Sequence, residues 1–197
     1  MVSRRAFLRG GSLAGLASLV PTAGAAVVRP RAALSGQPFE AVCDTRHQDG
    51  DAFLAVVSQR AYRSHGVGVD PGAVLAVVAD ATAASRVVLG LTTPTALMIA
   101  RQVAAPHGYG LAFQGEHDYL GKDRLRHRLR GDEAWLGDLA TLLEHSADAW
   151  PQVLGRTLAA LPADRECTAT QAFDCVARHP AGKPGQLVSW VLAPLRA

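Results

Sequence analysis

The stretch VVLGLTTPTALMIARQVAAPHGYGLAFQGEH, Val87–His117, decides the fold class. It reads as strand, capped helix, strand. VVLGL is a short apolar run of the kind found in a strand covered on both faces. Thr93 suits a helix N-cap, and Pro94 suits the first helical position, where a missing N–H costs nothing. Pro106 ends the helix and Gly108 permits the reversal. Tyr109–His117 then runs extended. A right-handed βαβ unit of this kind needs a sheet on which to bury itself. The expectation is an α/β domain built on a mixed sheet of five or six strands, with helices packed on its faces.

Working outward toward the N-terminus, Phe39–Cys43 is a first apolar strand that ends in Asp44-Thr45-Arg46-His47. Gly50 and Asp51 open a helix to His65, with Phe53, Val56, Val57 and Ala61 on one face. The run Ala73–Ala79, AVLAVVA, is read as a second strand ending at Asp80-Ala81-Thr82, and Ala83–Arg86 as a turn.

Toward the C-terminus, Tyr109–Leu120 and Arg124–Arg130 form a hairpin over the loop Gly121-Lys122-Asp123. A three-residue loop places Glu116 opposite Arg128 and Asp118 opposite Arg126 on one face. On the other face His117 stands opposite His127 and Tyr119 opposite Leu125. The arginine row therefore reads as a charged, protected edge strand. Asp132 caps a helix from Glu133 to about Ala147, with Trp135, Leu139, Leu142 and Leu143 buried. Asp148 opens a second helix carrying Val153, Leu154, Leu158 and Leu161, which Pro162 ends. Residues 163–186 look irregular, with a helical turn around Ala172–Ala177. Leu187–Leu192 closes as a strand.

The N-terminus carries a different signal. Ser3-Arg4-Arg5-Ala6-Phe7-Leu8-Arg9 is followed by the apolar run Leu13–Val20 and the small residues Ala23-Gly24-Ala25. This order resembles a twin-arginine export signal, carried here by Arg4, Arg5, Phe7 and Leu8. The resemblance covers about the first 25 residues. It implies cleavage near Ala26, recognition by the twin-arginine machinery and a periplasmic address. That route carries proteins already folded. The apolar run is too short for a membrane span. Residues 26–37 are read as a solvated lead-in and 38–197 as one domain.

The chain has 20 Lys+Arg against 17 Asp+Glu, a net charge of +3. Three of those arginines lie in residues 1–25, which hold no acid, leaving 17 basic against 17 acidic residues beyond them. There is no global charge case for nucleic-acid binding. Of the three cysteines, Cys43 reads as a buried thiol. Cys167 and Cys175 are close enough in sequence for a disulfide in an oxidising compartment.

Open α/β sheets bind ligands outside the carboxyl ends of parallel strands. Those ends collect Asp44, Arg46 and His47, then Asp80 and Thr82, then Thr92 and Thr93, then Glu116 and His117. Asp44, His47, Asp80 and His117 are the acid–base candidates. Arg46, Thr82, Thr92 and Thr93, with the helix N-terminus at Pro94, would hold a small anion. His117 and His127 form a candidate metal pair, with His47 or Asp44 as a third ligand. No G-x-S-x-G elbow, phosphate-binding loop, dinucleotide fingerprint, H-E-x-x-H or C-x-x-C-H is present, and no cofactor is indicated. Two functions follow. The first is an exported protein that binds a small ligand or helps mature a partner enzyme. The second is a small periplasmic hydrolase or lyase using the acid–base set.

Overall fold

The computed structural model describes residues 37–68, 70–161, 167–178 and 186–195. All lie in the second of two units into which the chain divides, Arg31–Ala197. The export signal at Arg4, Arg5, Phe7 and Leu8, and the lead-in up to residue 36, lie outside the described residues.

The chain is mixed α/β. Among the described residues one sheet runs through seven strands: β1 (Phe39–Asp44), β2 (Arg63–Val67), β3 (Val87–Thr92), β4 (Tyr109–Tyr119), β5 (Arg124–Gly131), β6 (Ala169–Val176) and β7 (Leu187–Pro194). Five helices accompany them: α1 (Gln48–Val57), α2 (Pro71–Ala83), α3 (Pro94–Ala104), α4 (Glu133–Glu144) and α5 (Trp150–Leu158). The strand order is β2-β1-β3-β7-β4-β5-β6. β1 pairs in parallel with β2 and β3, while every pairing from β3 to β6 is antiparallel.

The β3–α3–β4 unit forms as its sequence dictates. Thr93 accepts from the Ala96 N–H at 3.4 Å and Pro94 follows it. Gly108 reverses the chain at φ +73°. One feature was not legible: β3 and β4 are not neighbours. The last strand, β7, lies between them and runs against both.

Two cores cover the sheet. One face packs Phe39, Leu89 and Phe113 against Phe53, Leu139 and Trp150 of α1, α4 and α5. The other packs Val42, Val88 and Trp190 against Val74, Val78 and Leu97 of α2 and α3. Trp190 crosses Gly90 so closely that a Cβ there would run into its ring.

Four readings are corrected. First, Ala73–Ala79 is not a strand but the middle of α2. Asp70 caps that helix by accepting from the Gly72 N–H at 2.8 Å, and Pro71 is its first residue. The cap and proline outweigh the strand preference of a run rich in valine. Second, the first helix ends at Val57 rather than His65, and Arg63–Val67, which takes in the end of that expected helix, is β2. Third, residues 169–176 are β6, not a helical turn. Phe173, Cys175 and Ala177 turn inward while Ala172, Asp174 and Val176 are exposed, the two-residue period of a strand. Seven strands replace five or six, and β5 is no edge because β6 covers it.

The fourth correction follows from the third. Cys167 and Cys175 do not pair, because the intervening chain is extended. The six steps from Ala169 to Cys175 alone span about 20 Å, far beyond disulfide reach. Cys167 Sγ donates to the Leu111 carbonyl at 3.4 Å, and Cys175 Sγ sits 3.4 Å from His127 Nε2. All three cysteines are free.

The hairpin register is the one its charges require: Glu116↔Arg128, His117↔His127, Asp118↔Arg126 and Tyr119↔Leu125.

Candidate ligand site

At the carboxyl edge, β1 passes the chain to α1 on one face and β3 passes it to α3 on the other. The gap between them is the topological switch point where open sheets accept ligands. Asp44, Arg46 and His47 stand on one side, Thr92 and Thr93 on the other. Their polar atoms are already engaged. Arg46 Nε donates to Asp44 Oδ1 at 2.8 Å, and its Nη2 donates to Oδ2. Burial raises the Asp44 pKa, but the hydrogen bonds and charge of Arg46 outweigh it and hold the carboxyl below its usual range. His47 Nε2 lies 3.9 Å from Asp44 Oδ2. Thr92 Oγ1 accepts from Trp190 Nε1 at 2.9 Å, and Thr93 caps α3.

Asp80 and Thr82 do not join this group. They sit near the C-terminal end of α2, which runs away from the carboxyl edge. Asp80 is exposed, and Thr82 Oγ1 donates back to the Val78 carbonyl at 2.9 Å.

His117 and His127 lie beneath α5, not at the edge. Their Nδ1 atoms are 2.7 Å apart, His117 Nε2 is 2.8 Å from Ser189 Oγ, and both rings pack on Trp150. Burial, and for His117 also the neighbouring His127, lowers both pKa values, that of His127 to about 4. Both rings are therefore neutral near pH 7, each with one N–H. A hydrogen-bonded chain runs Ser189–His117–His127–Cys175 through three β-strands' side chains and a fourth. An ion shared by the two facing nitrogens would push them beyond 2.7 Å, given a metal–nitrogen bond of about 2 Å. Asp44 and His47 stay in the edge loop. Among the described residues no group of three or more His, Cys, Asp or Glu is placed to hold a metal. Gly115 makes the chain possible: a Cβ there would lie 2.6 Å from Ser189 Oγ.

Next to this chain, Tyr119 Oη donates to Asp49 Oδ2 at 2.8 Å and accepts from Trp150 Nε1 at 3.1 Å. Burial is the first cause raising the Tyr119 pKa, so the phenol stays protonated. Sequence reading missed Ser189, Asp49 and Cys175 here. Only Ser189 carried a hint, as the one polar residue in LVSWVL.

An apolar trough opens on the other face of the sheet. α2 and α3 cover only one half of their face of the sheet. Where α3 stops covering it, a trough of about 500 Å³ opens between α3 and strands β4 and β7. Leu97, Met98 and Arg101 line one wall, and Leu111, Val188 and Leu192 the floor. A β-bulge builds this floor. The β4–β7 register shifts between Leu111 and Phe113. Ala112 and Phe113 consequently both enter the opposite core, while Leu111 and Gln114 both face the trough. Gln102, Gln114, Glu116 and Gln186 add polar groups.

Beyond the trough no described helix covers this face of the sheet. Arg124, Arg126, Arg128 and Arg130 alternate with buried residues along β5. Arg128 pairs with Glu116 at 2.7 Å, and Arg126 with Asp174 at 2.9 Å. Among the described residues no helix is long and apolar enough to cross a membrane. The chain matches no known protein family, no curated protein and no solved structure.

Proposed function

We propose that this chain is an exported binding protein that holds a small ligand in the trough between α3 and strands β4 and β7. Export rests on the order of charge, apolar run and small residues at positions 3–25. The periplasm is then its address, and service to a partner enzyme there is its role. The observation that carries the binding reading is the trough. Its volume of about 500 Å³ falls in the range of small-molecule sites, and its apolar floor is edged by a few polar groups.

The alternative, hydrolysis or elimination at the carboxyl edge, has less support. Asp44 is clamped by Arg46, His117 is buried and neutral, and Asp80 lies on the wrong helix. The test is native mass spectrometry of protein taken from the periplasm of its own host. Wild type should carry extra mass that a trough-filling Leu111→Trp variant lacks. Bare protein in both samples would overturn the binding reading. Retention of the same mass by the variant would move the site elsewhere.

A further inference from the structure

Charge complementarity in the trough identifies the class of ligand. Arg101 projects from α3 onto the trough, one turn beyond Leu97 and Met98. It has no acidic partner among the described residues. Arg130 stands across the hairpin from Gln114, exposed and likewise without an acidic partner there. The acids near the trough are not in the same position. Glu116 is taken by Arg128, and Asp174 by Arg126 and Arg124. Among the described residues the charges left without a partner beside the trough, Arg101 and Arg130, are therefore positive, while Asp118 stands two residues beyond Glu116 along β4.

The apolar part has a defined shape. α3 runs past the floor from Pro94 to Ala104, about 15 Å at the helical rise. Val188 lies toward one end of it and Leu192 toward the other, on the same face of β7 with Trp190 between them. Met98 is half-exposed on the rim, which leaves a flexible, polarisable side chain free to settle on an apolar ligand. β4 and β7 are both internal strands, so no free backbone edge is offered and a peptide gains nothing by adding as a strand. What the trough offers is length, apolar contact and a cation.

We infer that the trough takes an amphipathic monoanion, an apolar chain lying along Leu111, Val188 and Leu192 with its carboxylate or phosphate on Arg101. Arg101 is the residue that reads the charge, and Arg130 adds to the local field. The Gln102 amide, next to Arg101 on α3, supplies a donor to the same oxygens, while the Gln114 amide donates to Glu116 at 3.5 Å. This inference rests on the trough being a binding site.

The test uses probes with one tail and different heads: dodecanoate, dodecyl phosphate, dodecanol and dodecylamine, each below its micelle-forming concentration. Binding to the full mature chain is followed by calorimetry. Dodecanoate and dodecyl phosphate should bind at least fivefold tighter than dodecanol, and dodecylamine weakest. In Arg101→Gln that preference should collapse to within twofold while dodecanol binding stays unchanged. Arg101 is exposed on a helix of eleven residues, so the variant keeps the fold. Equal affinity for all four probes would refute the anion reading and leave the trough as a site. An anion preference that survives Arg101→Gln would refute the role of Arg101. No binding by any probe would overturn both this inference and the trough reading beneath it. The two phosphate and carboxylate arms, compared with each other, separate a phospholipid-like source from a fatty-acid-like one.

Discussion

Lowering the pH from 7 to 5 should destabilise this fold through its buried histidine pair. Burial lowers the His127 pKa from 6.5 to about 4. The folded state thus keeps the ring neutral, while the unfolded chain takes up a proton as the pH drops through 6.5. Between those two values the unfolded state binds more protons, so stability declines as the pH declines. The contribution is intact above pH 6.5 and fully lost below about 4. At pH 5, with each pKa unit worth 1.36 kcal/mol, the loss from His127 is about 2 kcal/mol. His117 shifts in the same direction and adds to it. The window is separate from that of Asp44, whose carboxyl is held below its usual 3.8 and whose contribution is lost only in stronger acid. The assay is urea unfolding at pH 7, 6 and 5. A loss of about 2 kcal/mol should move the midpoint by on the order of 1 M. His127→Gln, which keeps a hydrogen-bonding group but does not titrate, should lose the His127 share of the slope, about 2 kcal/mol between pH 7 and pH 5, and keep that of His117. An unchanged midpoint between pH 7 and pH 5 would refute the reasoning, as would a full slope in that variant.

Three further outcomes are expected. Unreduced protein, denatured and alkylated, should take up label at Cys43, Cys167 and Cys175 alike; a mass lower by two hydrogens would contradict the extended path of β6. Gly90→Ala forces a methyl group against the Trp190 ring and should destabilise by roughly 1–3 kcal/mol, read from the urea midpoint, whereas a neutral result would mean the ring moves freely. Asp132→Ala removes the acceptor that Asp132 offers the Ala134 N–H at 2.8 Å and should cost about 1 kcal/mol; recovery by Asp132→Asn but not by Asp132→Leu would identify the cap as the cause.

The sequence shows most clearly what is fixed by neighbouring residues. Thr93-Pro94 and Asp132 state where α3 and α4 begin, and the loop Gly121-Lys122-Asp123 fixes which residues oppose one another across the hairpin. It misleads where a local signal has two readings. AVLAVVA puts Leu75 and Ala76 on the exposed side of α2 where a polar residue would mark it, so its period is erased and only Asp70-Pro71 betrays a helix. β2 is short and mostly exposed, carrying little apolar pattern. Among candidate site residues, Asp44, Arg46, His47, Thr92 and Thr93 do gather at one edge, since strand ends are local features. The Asp44–Arg46 pair and the Thr93 cap are local too, whereas the bond to Thr92 was not legible, because Trp190 reaches it from 98 residues away. The trough was hidden for a similar reason. It arises from a bulge at Ala112, from the placement of β7, and from the lack, among the described residues, of a helix over the arginine face of β5, none of which is a property of one segment.

The placement of β7 has a kinetic consequence. The strands β2-β1-β3 and β4-β5-β6 are two ribbons with no backbone pairing between them except through this strand. Thr92 meets Val188 across a separation of 96 residues, and closing a loop of that size costs about 4 kcal/mol of chain entropy before any contact repays it. Assembly therefore ends with a keystone. Each ribbon is left with an open edge until Leu187–Pro194 slides between them, and during that interval both edges are exposed to the wrong strand. A chain shortened before Gln186 should accumulate as this half-built species. Supplying residues 186–195 as a separate peptide should complete it, the final segment acting as a detachable part.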